Sequence, residues 1–114
     1  MDASEKFFPE PVDNLPDADI TFKGIKGKLL QAENHQVVFM EIDAVGEIPP
    51  HSHGAQWGIV LKGEMSLTIE GNTKIYRKGD SYYIPADAVH SANFSAKVSA
   101  VDFFEDKDRY SVKK

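Results

Sequence analysis

Gly46-Glu47-Ile48-Pro49-Pro50-His51-Ser52-His53-Gly54-Ala55-Gln56-Trp57-Gly58-Ile59-Val60-Leu61-Lys62-Gly63 is the stretch whose reading decides the fold. His51 and His53 are two residues apart. On an extended strand, residues i and i+2 point to one face, so both imidazoles can reach a common point. Two neutral imidazoles aimed at one point form a chelating arm that suits Zn, Fe, Ni, Cu or Mn better than Ca or Mg. A bare His-x-His is a weak signal, because most single histidines are surface or satisfied core residues. The context strengthens it. Pro49-Pro50 hold the entry extended, glycines bracket the pair, and the apolar run 57–61 follows.

A second segment answers the first: Gly79-Asp80-Ser81-Tyr82-Tyr83-Ile84-Pro85-Ala86-Asp87-Ala88-Val89-His90-Ser91-Ala92-Asn93. Together the two resemble the two motifs of the cupin superfamily. In the first motif His51 and His53 match the histidine pair, Gln56 stands where a Glu is expected, and Gly63 matches the closing Gly. In the second, Gly79, Pro85 and His90 match, and Asn93 lies one position early. Three departures stand out. Gln replaces Glu, the step from His53 to Gln56 is one or two residues shorter than in the family pattern, and Asp87 takes the place of a Gly. The last predicts a turn residue in left-handed or bridge space, which Asp tolerates better than most.

The resemblance implies an all-β fold, the double-stranded β-helix or jelly-roll barrel. Local reading agrees. No segment has helical periodicity of useful length, and short strands recur between turn signals. Strands are expected at 20–22, 28–31, 36–43, 57–61, 65–70, 73–77, 82–85, 89–93 and 97–105, with a hairpin turn at Gly71-Asn72. The 36–43 strand carries apolar residues on both faces and is expected to be covered on both. Residues 1–19 hold Pro9, Pro11 and Pro16 and read as an irregular arm, either loose or covering a sheet edge. A single barrel is expected over residues 20–110 and a short tail over 111–114. Asp106-Lys107-Asp108-Arg109 reads as a solvated charged run.

Composition bounds the function. A chain of 114 residues builds one core. Its formal net charge of −5 does not suggest a nucleic-acid or anionic-membrane partner. No apolar run reaches membrane-spanning length. The start lacks the pattern of a signal peptide, so a cytoplasmic location is the default expectation. With no cysteine, disulfides and thiolate ligands are excluded.

The resemblance implies one divalent transition metal ion (Fe, Mn, Ni, Zn or Cu) inside the barrel, held by His51, His53 and His90. Gln56 is either a neutral fourth ligand or a hydrogen-bonding neighbour of the ligands. With neutral ligands only, the metal keeps its full positive charge. Candidates for proton transfer are Tyr82 or Tyr83, of which alternation sends one inward, and Asp102, a carboxylate in an apolar strand that is either an inward functional group or an edge residue. His35, by a turn, reads as structural or exposed. Trp57, Ile59 and Phe94 line either the core, a pocket or a subunit interface, and the resemblance implies a homodimer. The functional expectation is a small metalloenzyme of dioxygenase, isomerase or lyase type acting on a small organic molecule. Cupin hydroxynitrile lyases, similar in pairing three His with one Gln around manganese, are one analogy. The alternatives are a non-catalytic module that binds or senses a small ligand and a metal-free structural role. Fold alone does not choose among them.

Overall fold

Two-residue alternation of apolar and polar side chains runs through most of the chain and is realised as strands. The computed structural model describes residues 7–114; residues 1–6, the first part of the expected arm, lie outside the described residues. Among the described residues one turn of helix, α1 (Glu10–Asp13), precedes nine strands: β1 (Ile25–Gln31), β2 (Gln36–Ile42), β3 (Gly46–His51), β4 (Gln56–Lys62), β5 (Glu64–Ile69), β6 (Asn72–Arg77), β7 (Ser81–Ile84), β8 (His90–Phe94) and β9 (Val98–Phe104). They form a five-stranded sheet in the order β1-β2-β9-β4-β7 and a four-stranded sheet in the order β3-β8-β5-β6. Every strand pairing is antiparallel. This is the jelly-roll arrangement.

The inner faces of the two sheets meet over one core. From the larger sheet come Leu29, Val38, Met40, Ile42, Val60, Val98, Ala100 and Phe104; from the smaller come Ile48, Met65, Leu67 and Phe94. Burial in β2 alternates as its sequence predicts, with Val38, Met40 and Ile42 inward. Its outer face is only half-buried, partly covered at Phe39, where Phe8 of the arm sets its ring edge-on with centroids 5.6 Å apart. The arm expected to be irregular therefore holds a helical turn and a docked aromatic. Past that turn, Asp17 bridges Lys28 on β1, and Ala18 bridges Val112 of the tail. β1 is an edge strand, and this pairing covers its exposed hydrogen-bonding groups.

Two local expectations are corrected. Residues 20–22 form no strand. The place beside β1 is already taken by residues 17–18, whose Ala18 N–H donates to the Gly27 carbonyl at 2.9 Å. The β5–β6 turn lies one residue earlier than read. Ile69 pairs with Asn72, leaving Glu70-Gly71 as the two-residue turn with φ of 47° and 82°. Two positive φ values are what a type I′ hairpin demands. Glu70 is held there because its side chain accepts a hydrogen bond from the Val89 N–H at 2.6 Å. Asp87 takes φ 65°, as its place in the motif predicts, and its N–H donates to the His53 carbonyl at 2.8 Å. That turn thereby ties the two motif segments together.

Candidate metal centre

The histidine pair does not sit on one strand. His51 ends β3, and His53 lies in the loop before β4. The reason is local. Between Ile48 and His51 the register against β8 shifts by one residue, at Pro49-Pro50. Proline has no N–H to give the ladder and is found at such bulges. The bulge sets His51 opposite His90, the first residue of β8. Ring centroids are 4.2 Å apart for His51 and His90, 4.8 Å for His53 and His90, and 5.5 Å for His51 and His53. One ring nitrogen from each lies within 4.8 Å of the others, so the three form a group able to hold a metal ion.

Each ring is oriented from behind. Nδ1 of His51, His53 and His90 lies 2.9, 2.8 and 2.9 Å from the carbonyls of Pro49, Gly54 and Ala88 respectively. A carbonyl only accepts, so each Nδ1 carries the hydrogen, which in a neutral ring leaves the lone pair on Nε2. Metal-ligating histidines are held in the same way, by a hydrogen bond from the other ring nitrogen. Burial lowers the pKa of His53 to about 4, against the bond to the Gly54 carbonyl and with help from the nearby Arg109 charge. His90 is lowered too, chiefly by burial. Both are thus neutral at pH 7, as metal ligation requires. His90 is only 4% exposed, and its Nε2 is buried without a hydrogen-bond partner. A buried lone pair of this kind calls for an occupant. The donor set, three imidazoles, fits a divalent transition metal.

The cluster lines a cavity of about 650 Å³ between the sheets. Three strands bring a polar group to the same wall. Gly58 of β4 pairs with Tyr82 on one side and Asp102 on the other. Having no side chain, it lets those two meet across it: Tyr82 OH donates to Asp102 Oδ1 at 2.6 Å. Gln56 Nε2 donates to the same oxygen at 2.9 Å. Asp102 is 3% exposed, and burial pushes its carboxyl up to about 6 despite those two donors. Burial, then the Asp102 charge, raises the Tyr82 hydroxyl well above its usual range. Asp102 is thus the inward group that its odd place in an apolar strand suggested. Of the tyrosine pair, Tyr82 points in, while Tyr83 is 57% exposed on the outer face and has no part in the cavity. His35 lies outside the cluster, its ring 5.0 Å from that of Phe103.

The run 106–109 is not uniformly solvated. Asp106 Oδ2 accepts from the Gly54 N–H at 2.9 Å, bracing the loop beside His53. Arg109 lines the cavity. Sequence reading missed both, and it passed over Gly58. The one available signal was an isolated glycine inside an apolar strand, which marks a close approach of neighbouring groups.

A two-sheet barrel with histidines converging on an interior cavity is the architecture of a cupin barrel. The chain belongs to that family: the model described as Cupin domain matches residues 38–103, more than half of its length. An RmlC-like cupin from Shewanella frigidimarina NCIMB 400 is similar in structure, with 25% identity, a TM-score of 0.71, and coverage of 82% of this chain and 86% of that one. KdgF from Halomonas sp. is similar at 22% identity and a TM-score of 0.70, over 90% of this chain and 96% of that one. AerE from Microcystis aeruginosa shows 21% identity and a TM-score of 0.71, over 79% of this chain and 45% of the other. No curated protein matches the chain. Among the described residues no helix is long and apolar enough to cross a membrane.

Proposed function

We propose that this cupin binds one divalent transition metal ion through His51, His53 and His90, with Gln56 as the fourth ligand, and uses it to hold a small organic molecule in the cavity. The observation that carries this is the buried Nε2 of His90, partnerless beside two other imidazoles whose Nδ1 atoms are all tied to carbonyls. Gln56 joins the set because its amide nitrogen is engaged by Asp102, leaving the amide oxygen as the end that can face a cation. When bound, the ion supplies Lewis-acid chemistry, or oxygen chemistry if it is Fe or Cu.

The chain's own residues support the metalloenzyme reading over the purely binding one. A buried carboxyl raised toward neutrality can take or give a proton, and Asp102, pushed up to about 6, is such a group in the cavity that Gln56 and the histidines also line. Tyr82 positions it. Dioxygenase, isomerase and lyase chemistry all accept this layout; a non-catalytic sensing cupin would need the metal and the cavity but not Asp102. The test is metal content. Protein purified without added metal, then reloaded separately with Zn²⁺, Ni²⁺, Mn²⁺ and Fe²⁺, is expected to hold about one equivalent of at least one of them by elemental analysis, the count a single closed ligand set allows. No retained metal after reloading sinks the proposal.

A homodimer is supported by the outer face of the larger sheet. Tyr83, Trp57, Phe103, Val37 and Leu30 lie in one row across all five strands, in direct register. Trp57 is 44% exposed, and Tyr83, Phe103 and Leu30 are exposed as well. A contiguous apolar row of this kind marks an interaction surface. Phe94, by contrast, belongs to the core. Sedimentation of the wild type is expected to give a dimer, and Trp57→Lys a monomer with the metal content unchanged. A monomeric wild type, or a variant that stays dimeric, counts against this face.

A further inference from the structure

Arg109 follows β9 and lines the same cavity as the histidine cluster. Its guanidinium lies over two rings, 4.5 Å from the centroid of Tyr110 and 6.0 Å from that of Phe104. Its Nε is buried and has no hydrogen-bond acceptor. Among the described residues the ion pairs are Lys28–Asp17 and Arg77–Glu64, and none reaches Arg109. Of the nearby carboxylates, neither Asp108 nor Asp19, which lines the same cavity, forms an ion pair with it, and two others are engaged elsewhere. Asp106 accepts from the Gly54 N–H and Glu105 from the Ala55 N–H. Asp102, on the cavity wall, is occupied by Tyr82 and Gln56. A guanidinium with a buried, unanswered N–H is costly unless an anion completes it. The fork of N–H donors on arginine matches a carboxylate in two-point contact.

The rest of the lining defines the other end of the ligand. The histidines, Gln56, Tyr82, Asp102, Asp19 and Arg109 supply polar groups to the cavity lining. Much of the remaining lining is apolar, with Met40, Ile42, Ile48, Met65, Leu67 and Phe94. Three imidazoles and an amide bring no negative charge to a metal ion, so the ligand set itself does not repel an anion.

We propose that Arg109 is the anion-binding residue of this cavity, and that its ligand is a small organic carboxylate whose charged end pairs with the guanidinium while its apolar body fills the inner part of the barrel. The inference rests on reading the cavity as a small-ligand site, and it adds the ligand's charge and polarity. Arg109 selects the ligand, and the residues that would hold a metal line the same cavity.

The experiment uses calorimetry on the full chain, metal-free and metal-loaded, with acetate, butanoate and phenylacetate as probes and phenylacetamide as the uncharged match to the last. The metal-free wild type is expected to bind phenylacetate at least about tenfold tighter than phenylacetamide, the worth of one charge-assisted contact. Arg109→Gln abolishes that preference. Arg109→Lys, which keeps the charge without the fork and guards against a misfolded Gln variant, keeps part of it. Both variants are expected to retain full metal content. A wild type that binds acid and amide equally, or binds none of the acids, overturns the proposal. So does a preference that survives in Arg109→Gln, which would make Arg109 only a ring-stacking residue. Because the preference is read without metal, failure of the metal assignment leaves this result standing, and failure here leaves the metal count untouched.

Discussion

His90→Ala is expected to lower the affinity for Ni²⁺ or Zn²⁺ by about a hundredfold or more, while the protein stays folded. The lower bound comes from the effect of losing only a supporting hydrogen bond behind a ligand, which already weakens binding about 10- to 100-fold. His90 is the most buried of the three, and it sits against both of the others. Its loss leaves the two imidazoles of the first motif, one ending β3 and one in the loop after it, and no donor from the second motif. Stability should suffer less than burial alone suggests. The ring leaves a cavity and frees the Ala88 carbonyl it was bonded to, but its unsatisfied Nε2 goes with it. A net loss of about 1–2 kcal/mol is expected. Metal titration followed by calorimetry reads the affinity, and urea unfolding of the metal-free protein reads the stability. His35→Ala is the control, since that ring packs outside the cluster and its removal should leave metal binding alone. Wild-type affinity in His90→Ala would show that the metal, if any, is held elsewhere.

How far the sequence discloses this site depends on which physical signal each residue leaves. His51, His53 and His90 are legible because two ordered motifs place them. Their convergence was expected from a shared strand face, and it is achieved by a proline bulge and a loop held by Asp87 instead. Asp102 announces itself as a charge in an apolar strand. The choice between Tyr82 and Tyr83 is not local. Both suit a strand, and which one faces inward depends on the register of β7 against β4, set by long-range pairing. Arg109 left no signal at all. A charged residue in a charged run reads as solvated until the chain is known to turn back over the barrel, where the Ser111 carbonyl accepts from the Asp19 N–H and Lys113 N–H donates to the Asp17 carbonyl. Strands are legible from alternation, whereas the 20–22 segment misleads because its composition suits a strand for which no partner edge is free.

The second large effect is expected at a residue that makes no polar side-chain contact. Gly58→Ala adds one methyl group to β4, a strand, where alanine is ordinarily better tolerated than glycine by up to about 1 kcal/mol. Here the sign reverses. The added carbon falls on Asp102 Oδ1 and on the Cζ and hydroxyl of Tyr82. None of these can retreat easily, because Asp102 and Tyr82 are buried on the strands to either side and bonded to each other. Overpacking of this kind costs about 1–3 kcal/mol, and a buried polar group that loses a partner costs about 1–3 kcal/mol, more when it is charged. A net loss of about 3 kcal/mol or more is therefore expected, seen as a lower urea midpoint with an unchanged slope. A loss below about 1 kcal/mol would mean that the strands part freely and that glycine is not required by the pair. The double variant Gly58→Ala/Tyr82→Phe separates crowding from charge. Removing the hydroxyl clears part of the space the methyl needs, so the double variant should lose less than the two single losses combined, by about 1 kcal/mol or more, as contacting residues do. Strict additivity would place the damage outside the Tyr82–Asp102 contact. On this argument Gly58 sets the site as firmly as the residues that line it, since the proton-bearing pair exists only where one strand leaves room for its neighbours to touch.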